Sequence, residues 1–195
     1  MQLFKAGLLI FTIVTAEVAF ASAEEIVDSF HDALIAAMKA ETGEVRESIV
    51  EDAIKNHFNV YTVARISLGR NWRGLETEDR EKYISLMKEL ISTTYASRFN
   101  NFDDQTFAVT NSTPITANRA RVNTILTNKS EVVNLDYQLQ YSDESWRIYD
   151  IVANGVSDLS LKRSNYTSLF ADGGLEAVTA DIRASIKKNQ EESSG

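Results

Sequence analysis

The sequence predicts an α+β fold: N-terminal helices, then a four-stranded antiparallel meander, then C-terminal helices. Three observations carry this expectation. Apolar residues recur at three- and four-residue steps through roughly residue 100. The pattern then switches to strict alternation between about 107 and 153. Helical spacing returns after 157 and holds almost to the end of the chain. Helices grouped on either side of a strand run give an α+β layer arrangement, in which helices cover the apolar face of the sheet.

The elements follow in order. Glu24 to Ala40 places Ile26, Phe30, Leu34, Ala37 and Met38 on one helical face. After a break at Thr42-Gly43, a second helix carries Val45, Ile49, Val50, Ala53, Ile54 and Phe58. A short third helix spans Val60 to Leu68 and stops at Gly69, a residue free to take a left-handed cap. Thr77-Glu78-Asp79-Arg80 opens a long helix with a capping hydroxyl and acids in its first turn. Its apolar face is Tyr83, Ile84, Met87, Leu90, Ile91, Thr94, Tyr95 and Phe99. Phe107 and Val109 begin the first strand, and Ala120, Val122, Thr124 and Leu126 alternate through the second. The third is the clearest: Val133, Leu135, Tyr137, Leu139 and Tyr141 alternate with Asn134, Asp136, Gln138 and Gln140. Ser142-Asp143-Glu144-Ser145 reads as a hairpin turn into Trp146–Ala153, which carries large residues on both faces. Ser157–Phe170 and Leu175–Lys188 are helical, separated by Gly173-Gly174, and 189–195 reads as a frayed polar tail.

Composition limits the function. The 195 residues are one domain's worth, 44% hydrophobic and 25% charged. A formal net charge of −8 disfavours nucleic acid as a partner, because a polyanion is repelled. With no cysteine there are no disulfides, thiolate metal sites or cysteine nucleophiles, and two histidines exclude a three-histidine metal centre. Residues 1–23 read as an export signal: Lys5, then the apolar run Ala6–Val14, then small residues at Ala19-Phe20-Ala21 and Ala21-Ser22-Ala23. Cleavage after Ala23 leaves residues 24–188 as a single domain followed by the tail. No other stretch reaches the ~20 apolar residues that a membrane helix needs.

Catalytic chemistry is sparse. His31 beside Asp32 reads as a surface pair, and His57 sits at a helix end where a cation suits the dipole. The acids Glu41, Glu44, Glu47, Glu51 and Asp52 lack calcium-loop spacing and read as a solvated face. No phosphate loop and no convincing nucleophile–histidine pair stand out, so the chain reads as a non-enzyme without cofactor or metal. The excess is aromatic: Tyr95, Phe99, Phe102 and Phe107 near the helix-to-sheet junction, and Tyr137, Tyr141, Trp146 and Tyr149 on the sheet. Such side chains serve as core. A bulky sheet face covered by helices also suits an apolar pocket for long unbranched ligands.

Several segments carry a resemblance. Val63-Ala64-Arg65-Ile66-Ser67-Leu68-Gly69-Arg70-Asn71-Trp72-Arg73 is similar to the AR-x-x-LG-x-x-W segment of the MlaC family, the toluene-tolerance auxiliary proteins. Thr94-Tyr95-Ala96 matches its TYA, and Trp146–Ile151 followed by Gly155-Val156-Ser157 resembles its W-x-I-Y-D-V…GVS. Asn165-Tyr166 and Phe170 resemble its NY-x-x-x-F. The matches run in family order over nearly the whole domain. The resemblance implies a Gram-negative, periplasmic carrier that shuttles phospholipid between an outer-membrane lipoprotein complex and an inner-membrane ABC transporter complex. It implies acyl chains held between sheet and helices, with the head group at the mouth. Asp158–Ser164 intervenes where much of the family runs almost directly from GVS into NY. That longer form resembles the hopanoid-associated HpnM branch, so a phospholipid and a hopanoid both stand as ligands.

On this reading the pocket residues are Met87, Ile91 and Tyr95 from the long helix, Val133, Leu135, Tyr137, Leu139, Trp146 and Ile148 from the sheet, and Tyr166 and Phe170 from the C-terminal helix. Alternation leaves open whether Trp146/Ile148 or Tyr149/Ile151 look inward. Lys162 and Arg163 are placed at the mouth, to meet a phosphate. Trp72 and Arg73 either dock a partner or cap the fold.

Overall fold

The structure is a computed structural model that describes residues 14–194, with side chains described from 23 to 193. The region read as an export signal lies largely outside the described residues. The helices are α1 (Val14–Met38), α2 (Gly43–His57), α3 (Val60–Leu68), α4 (Thr77–Arg98) and α5 (Asp158–Ser194). A 3-10 turn, Gly69–Gly74, joins α3 to α4. The strands are β1 (Thr106–Thr116), β2 (Arg119–Thr127), β3 (Val132–Ser142), β4 (Ser145–Ala153) and β5 (Val156–Ser157). All neighbours pair antiparallel in the order β1-β2-β3-β4-β5. The expected meander thus gains a fifth strand, too short for alternation to reveal.

Local chemistry sets the helix starts. The Thr42 hydroxyl accepts a bond from the Val45 amide at 3.3 Å, and Asn59 Oδ1 accepts one from Thr62 at 2.9 Å. The expected Thr77 cap does not form: Glu76 is the N-cap, without a side-chain bond, and Thr77 is the first helical residue. Glu78 and Asp79 still place negative charge in that first turn. At Gly173 and Gly174 the backbone leaves helical geometry, with Gly174 at φ 66°, so the expected break survives as a kink inside α5. The expected frayed tail is instead the end of α5. Asn189 donates to the Thr94 hydroxyl at 3.1 Å, and Ser97 donates to Glu192 at 3.1 Å. Arg46 donates to the Ser193 carbonyl at 3.1 Å.

The helices cover one face of the sheet, and register arranges that face in rows. Ala120, Leu139 and Ile148 form one row; Val122, Tyr137 and Ile151 the next; Thr124, Leu135 and Ala153 the third. Between Ile148 and Asp150 the pairing with β3 shifts by one residue, which makes Tyr149 a bulge. Without the bulge, Ile148 and Ile151 would face opposite sides. With it, Trp146, Ile148 and Ile151 all share the covered face, so the two inward faces that alternation offered are both partly right. The core joins this face to Phe30 and Leu34 of α1, Ile54 of α2, Leu68 of α3, Met87 and Leu90 of α4, and Ile182 of α5. Each of these is 2% exposed or less.

His31 belongs to this core rather than to the surface. It is 5% exposed, its Nε2 lies 3.0 Å from the Tyr137 hydroxyl, and its ring stacks on Phe107 at 4.2 Å. His57 is held neutral-leaning rather than cationic, its pKa lowered by burial first and by Arg147 second. Arg147 itself supplies the cation at the end of α2, donating to the carbonyls of Lys55 and Asn56 at 3.2 and 3.1 Å.

Burial drives the His31 pKa from 6.5 down to about 4. Between those values the unfolded chain binds a proton that the folded chain refuses. Stability is therefore full above about pH 6.5 and falls as pH drops toward 4, with a slope approaching about 1.4 kcal/mol per unit. His57 adds in the same direction. Asp28, raised by burial and by Asp32, works in the opposite sense. His31→Gln keeps a polar partner for Tyr137 but does not titrate. Urea unfolding of this variant across that range is expected to show a flatter pH dependence than the parent. An identical pH profile would mean that the imidazole is not the titrating group.

Candidate lipid-binding cavity

The third row of the sheet is only partly covered by the helices. Where Leu135, Ile151 and Ala153 face the C-terminal half of α4 and the first turns of α5, a cavity of about 260 Å³ remains. Phe58 and Val63 close one side. Ile91, Thr94, Tyr95, Arg98 and Phe99 descend from α4, one helical turn after another. Tyr149, Asp150 and Val156 come from the bulge and the last hairpin, and Asp158, Leu159, Leu161 and Lys162 from α5. Tyr137 is the inner wall. Its ring stands edge-on to Phe30 at 6.3 Å, and its hydroxyl is tied to His31. Burial pushes the Tyr137 and Tyr95 phenols up, so both stay neutral.

The open side is apolar with a few charges. Leu161 is 59% exposed and Val156 53%. Asp158 and Lys162 pair at 3.6 Å across one helical turn. Arg98 makes no ion pair among the described residues and is exposed at the rim. Asp150 is already occupied: it accepts from the Ser157 hydroxyl at 2.7 Å and from the Leu159 amide at 3.3 Å. The Ser157 hydroxyl in turn accepts from the Ser160 amide at 2.9 Å, so β4 and the start of α5 are locked together at the mouth.

The structure brings together some of the pocket residues expected from sequence. Ile91, Tyr95, Leu135, Tyr137 and Lys162 line the cavity. Met87, Leu139, Trp146, Ile148 and Tyr166 do not; they are filled core, each 3% exposed or less. They share faces with the lining residues but sit where the helices pack down on the sheet. Val133 is half-buried at the outer end of β3, and Phe170 faces a separate groove with Arg70 and Arg163. Arg163 therefore points away from the cavity that Lys162 lines. Sequence reading missed Arg98 and held Ile151 only as one side of an open alternative. Arg98 was available as the residue three after Tyr95 on the same helix face, whereas Ile151 depended on the bulge.

Nucleophile–histidine geometry is poor. Ser29 Oγ lies 3.4 Å from His57 Nε2, a contact the sequence reading did not anticipate. That is longer than a working hydrogen bond, and His57 Nδ1 is buried without a hydrogen-bond partner, so nothing orients the ring as a base. Among the described residues no cluster of acids and histidines forms a metal site, and no helix is long and apolar enough to cross a membrane.

Comparison with known proteins agrees with this architecture. The chain is 22% identical over 189 residues to the intermembrane phospholipid transport system binding protein MlaC of Haemophilus influenzae, covering 91% of this chain and 88% of that protein. Its fold is similar, with a TM-score of 0.76 at 21% identity, to a phospholipid-binding protein from Ralstonia solanacearum solved in complex with a phospholipid. That match covers 86% of this chain and 98% of the solved one. The family model described as MlaC protein matches residues 26–184, and on that match the chain belongs to the MlaC family.

Proposed function

We propose that this protein is a non-enzymatic periplasmic lipid carrier, exported by a cleaved N-terminal signal, that takes the acyl part of a phospholipid into the cavity between β3, β4, α4 and α5. The observation that carries the reading is the cavity itself: an apolar space at the end of an otherwise closed core, with exposed Val156 and Leu161 at its rim and Arg98 and Lys162 beside them. The names of the two similar proteins support phospholipid as the ligand class.

The energetics fit a carrier. A diacyl lipid has roughly thirty methylenes, and exposing each to water costs about 0.8 kcal/mol, so free passage through an aqueous compartment is negligible. A pocket lined by Ile, Leu, Phe and Tyr replaces the bilayer interior, so loading and unloading are nearly balanced. Direction then comes from partners: an inner-membrane ABC transporter complex and an outer-membrane lipoprotein complex. At about 260 Å³ the cavity lies just below the ~300 Å³ where ordinary ligand sites begin. A whole diacyl lipid therefore requires this cavity to widen. Arg98 and Lys162 are placed to meet the phosphate as the chains enter.

Mass spectrometry of organic extracts of the purified protein tests the reading. A glycerophospholipid at about one per protein is the expected result. A triterpenoid would transfer the protein to hopanoid binding, the alternative raised by the Asp158–Ser164 segment. A protein that stays empty after incubation with phospholipid vesicles would refute the carrier and leave an adaptor for a transport complex. Filling the cavity is the second test. Leu135→Trp and Ile151→Trp are expected to reduce bound lipid about tenfold or more while costing about 1–3 kcal/mol of stability at most. Ile151 is only half-buried, so its variant is the safer one to fold. Variants that fold and still carry parental amounts of lipid would place the ligand elsewhere.

A further inference from the structure

α3 and the start of α5 have two faces. One borders the cavity through Val63, Leu159 and Lys162; the other borders a groove of about 620 Å³ floored by the 3-10 turn. Arginines crowd this groove: Arg65 from α3, Arg70 and Arg73 from the turn, Arg80 from α4 and Arg163 from α5. This is unusual in a chain with a net charge of −8. The ion pairs among the described residues all use lysines. Arg65, Arg70, Arg73 and Arg163 thus line one groove without an ion-pair partner among the described residues, and an incoming anion relieves the repulsion of like charges gathered there.

The groove is also built. Arg80 donates to the carbonyls of Trp72 and Arg73 at 3.3 and 3.1 Å and lies over the Trp72 ring at 5.7 Å, fixing the floor. Tyr61, 54% exposed, meets Trp72 edge-on at 5.7 Å and forms the apolar wall. Gly69 has φ 57°, and a Cβ there would sit 3.4 Å from Arg163 Nε. A side chain at that position would strain the turn, and its Cβ would rest against the Arg163 guanidinium, so Arg163 packs directly over the glycine.

We propose that this groove is the docking surface for an acidic segment of a protein partner, its carboxylates pairing with Arg65, Arg70, Arg73 and Arg163 and its apolar residues resting on Tyr61. Planar guanidinium forks suit carboxylates bidentately. Arginine, tyrosine and tryptophan are also the residues that dominate protein interfaces. A bilayer fits less well: the site is concave, and the acidic remainder of the chain is repelled by anionic lipid. The assignment gives the partner docking proposed above a surface, and it stands or falls apart from what the cavity holds.

The test titrates the full mature protein with a fluorescein-labelled peptide rich in Asp and Glu and, separately, with vesicles of phosphatidylethanolamine and phosphatidylglycerol. The chain has two tryptophans, and Trp146 is sealed in the core at 1% exposure, so their indole NMR signals locate the contact. The peptide is expected to bind and to shift the Trp72 indole but not that of Trp146. The triple variant Arg65→Glu/Arg70→Glu/Arg73→Glu is expected to weaken binding about tenfold or more. The charge-matched triple Arg183→Glu/Lys187→Glu/Lys188→Glu, at the far end of α5, is expected to stay within about twofold, as weak rim charges do. Copurified lipid should be unchanged in both triples, which separates this test from that of the cavity. Equal weakening by the two triples, an unmoved Trp72 signal or absence of peptide binding would overturn the proposal. Binding to the vesicles in preference to the peptide would also overturn it and reassign the groove to a membrane surface.

Discussion

The bond between the Tyr137 hydroxyl and His31, 3.0 Å long and buried, marks where this core stops being full. On one side of Tyr137 the row of Ala120, Leu139 and Ile148 is completely buried. On the other, Leu135 and Ala153 face open space. A tyrosine at this boundary needs a polar partner, because a buried hydroxyl without one costs free energy. His31 supplies it from α1, and the rings of Phe30 and Phe107 pack around the pair. The pair thereby ties α1 to β3 at the inner wall of the cavity. Phe30 extends the same brace to Phe58 and Tyr95, at 5.2 and 5.4 Å, so α1, the C-cap of α2 and α4 all bear on it.

The open end gathers a different chemistry. Asp150 and Ser157 bind the first amides of α5 and leave little carboxylate free at the mouth. Asp158 is engaged with Lys162, while Arg98 stands without an ion pair among the described residues. The mouth is apolar with a cationic edge, which suits an acyl chain ending in a phosphate. Lys162 and Arg163 are adjacent in sequence yet serve different faces of α5, one toward the cavity and one toward the arginine groove. A change in the position of α5 therefore alters both at once.

Much of the architecture was legible in the sequence because period reports which face of an element is buried. The third helix has its expected bounds, and the alternation of β3 correctly separates Leu135, Tyr137 and Leu139 from the polar face. Alternation does not say how closely the covering layer packs along a strand. Leu139 and Leu135 look equivalent in sequence, but one is core and the other cavity wall. The bulge at Tyr149 was hidden for a related reason: β4 is large on both faces, so an extra residue leaves no break in pattern. The burial of His31 was available, since it falls four residues after Val27 on the apolar stripe of α1; Asp32 beside it suggested the surface instead. The 189–194 segment was misread because its partners are polar. Its hydrogen bonds to α4 and to Arg46 leave no hydrophobic signature. Of the arginine groove, the run from Arg65 to Arg80 was visible, whereas the approach of Arg163 needed the fold.

In the proposed carrier the acyl chains lie beyond Tyr137 and nowhere else in the core. The most direct measurement is intermolecular NMR contact between a protonated acyl chain and the methyl groups of otherwise deuterated protein loaded with phospholipid. Contacts to Ile91, Leu135 and Ile151, with none to Ile148 or Leu139, are the predicted result. Contacts to Ile148 and Leu139, or to methyl groups remote from the cavity, would contradict it.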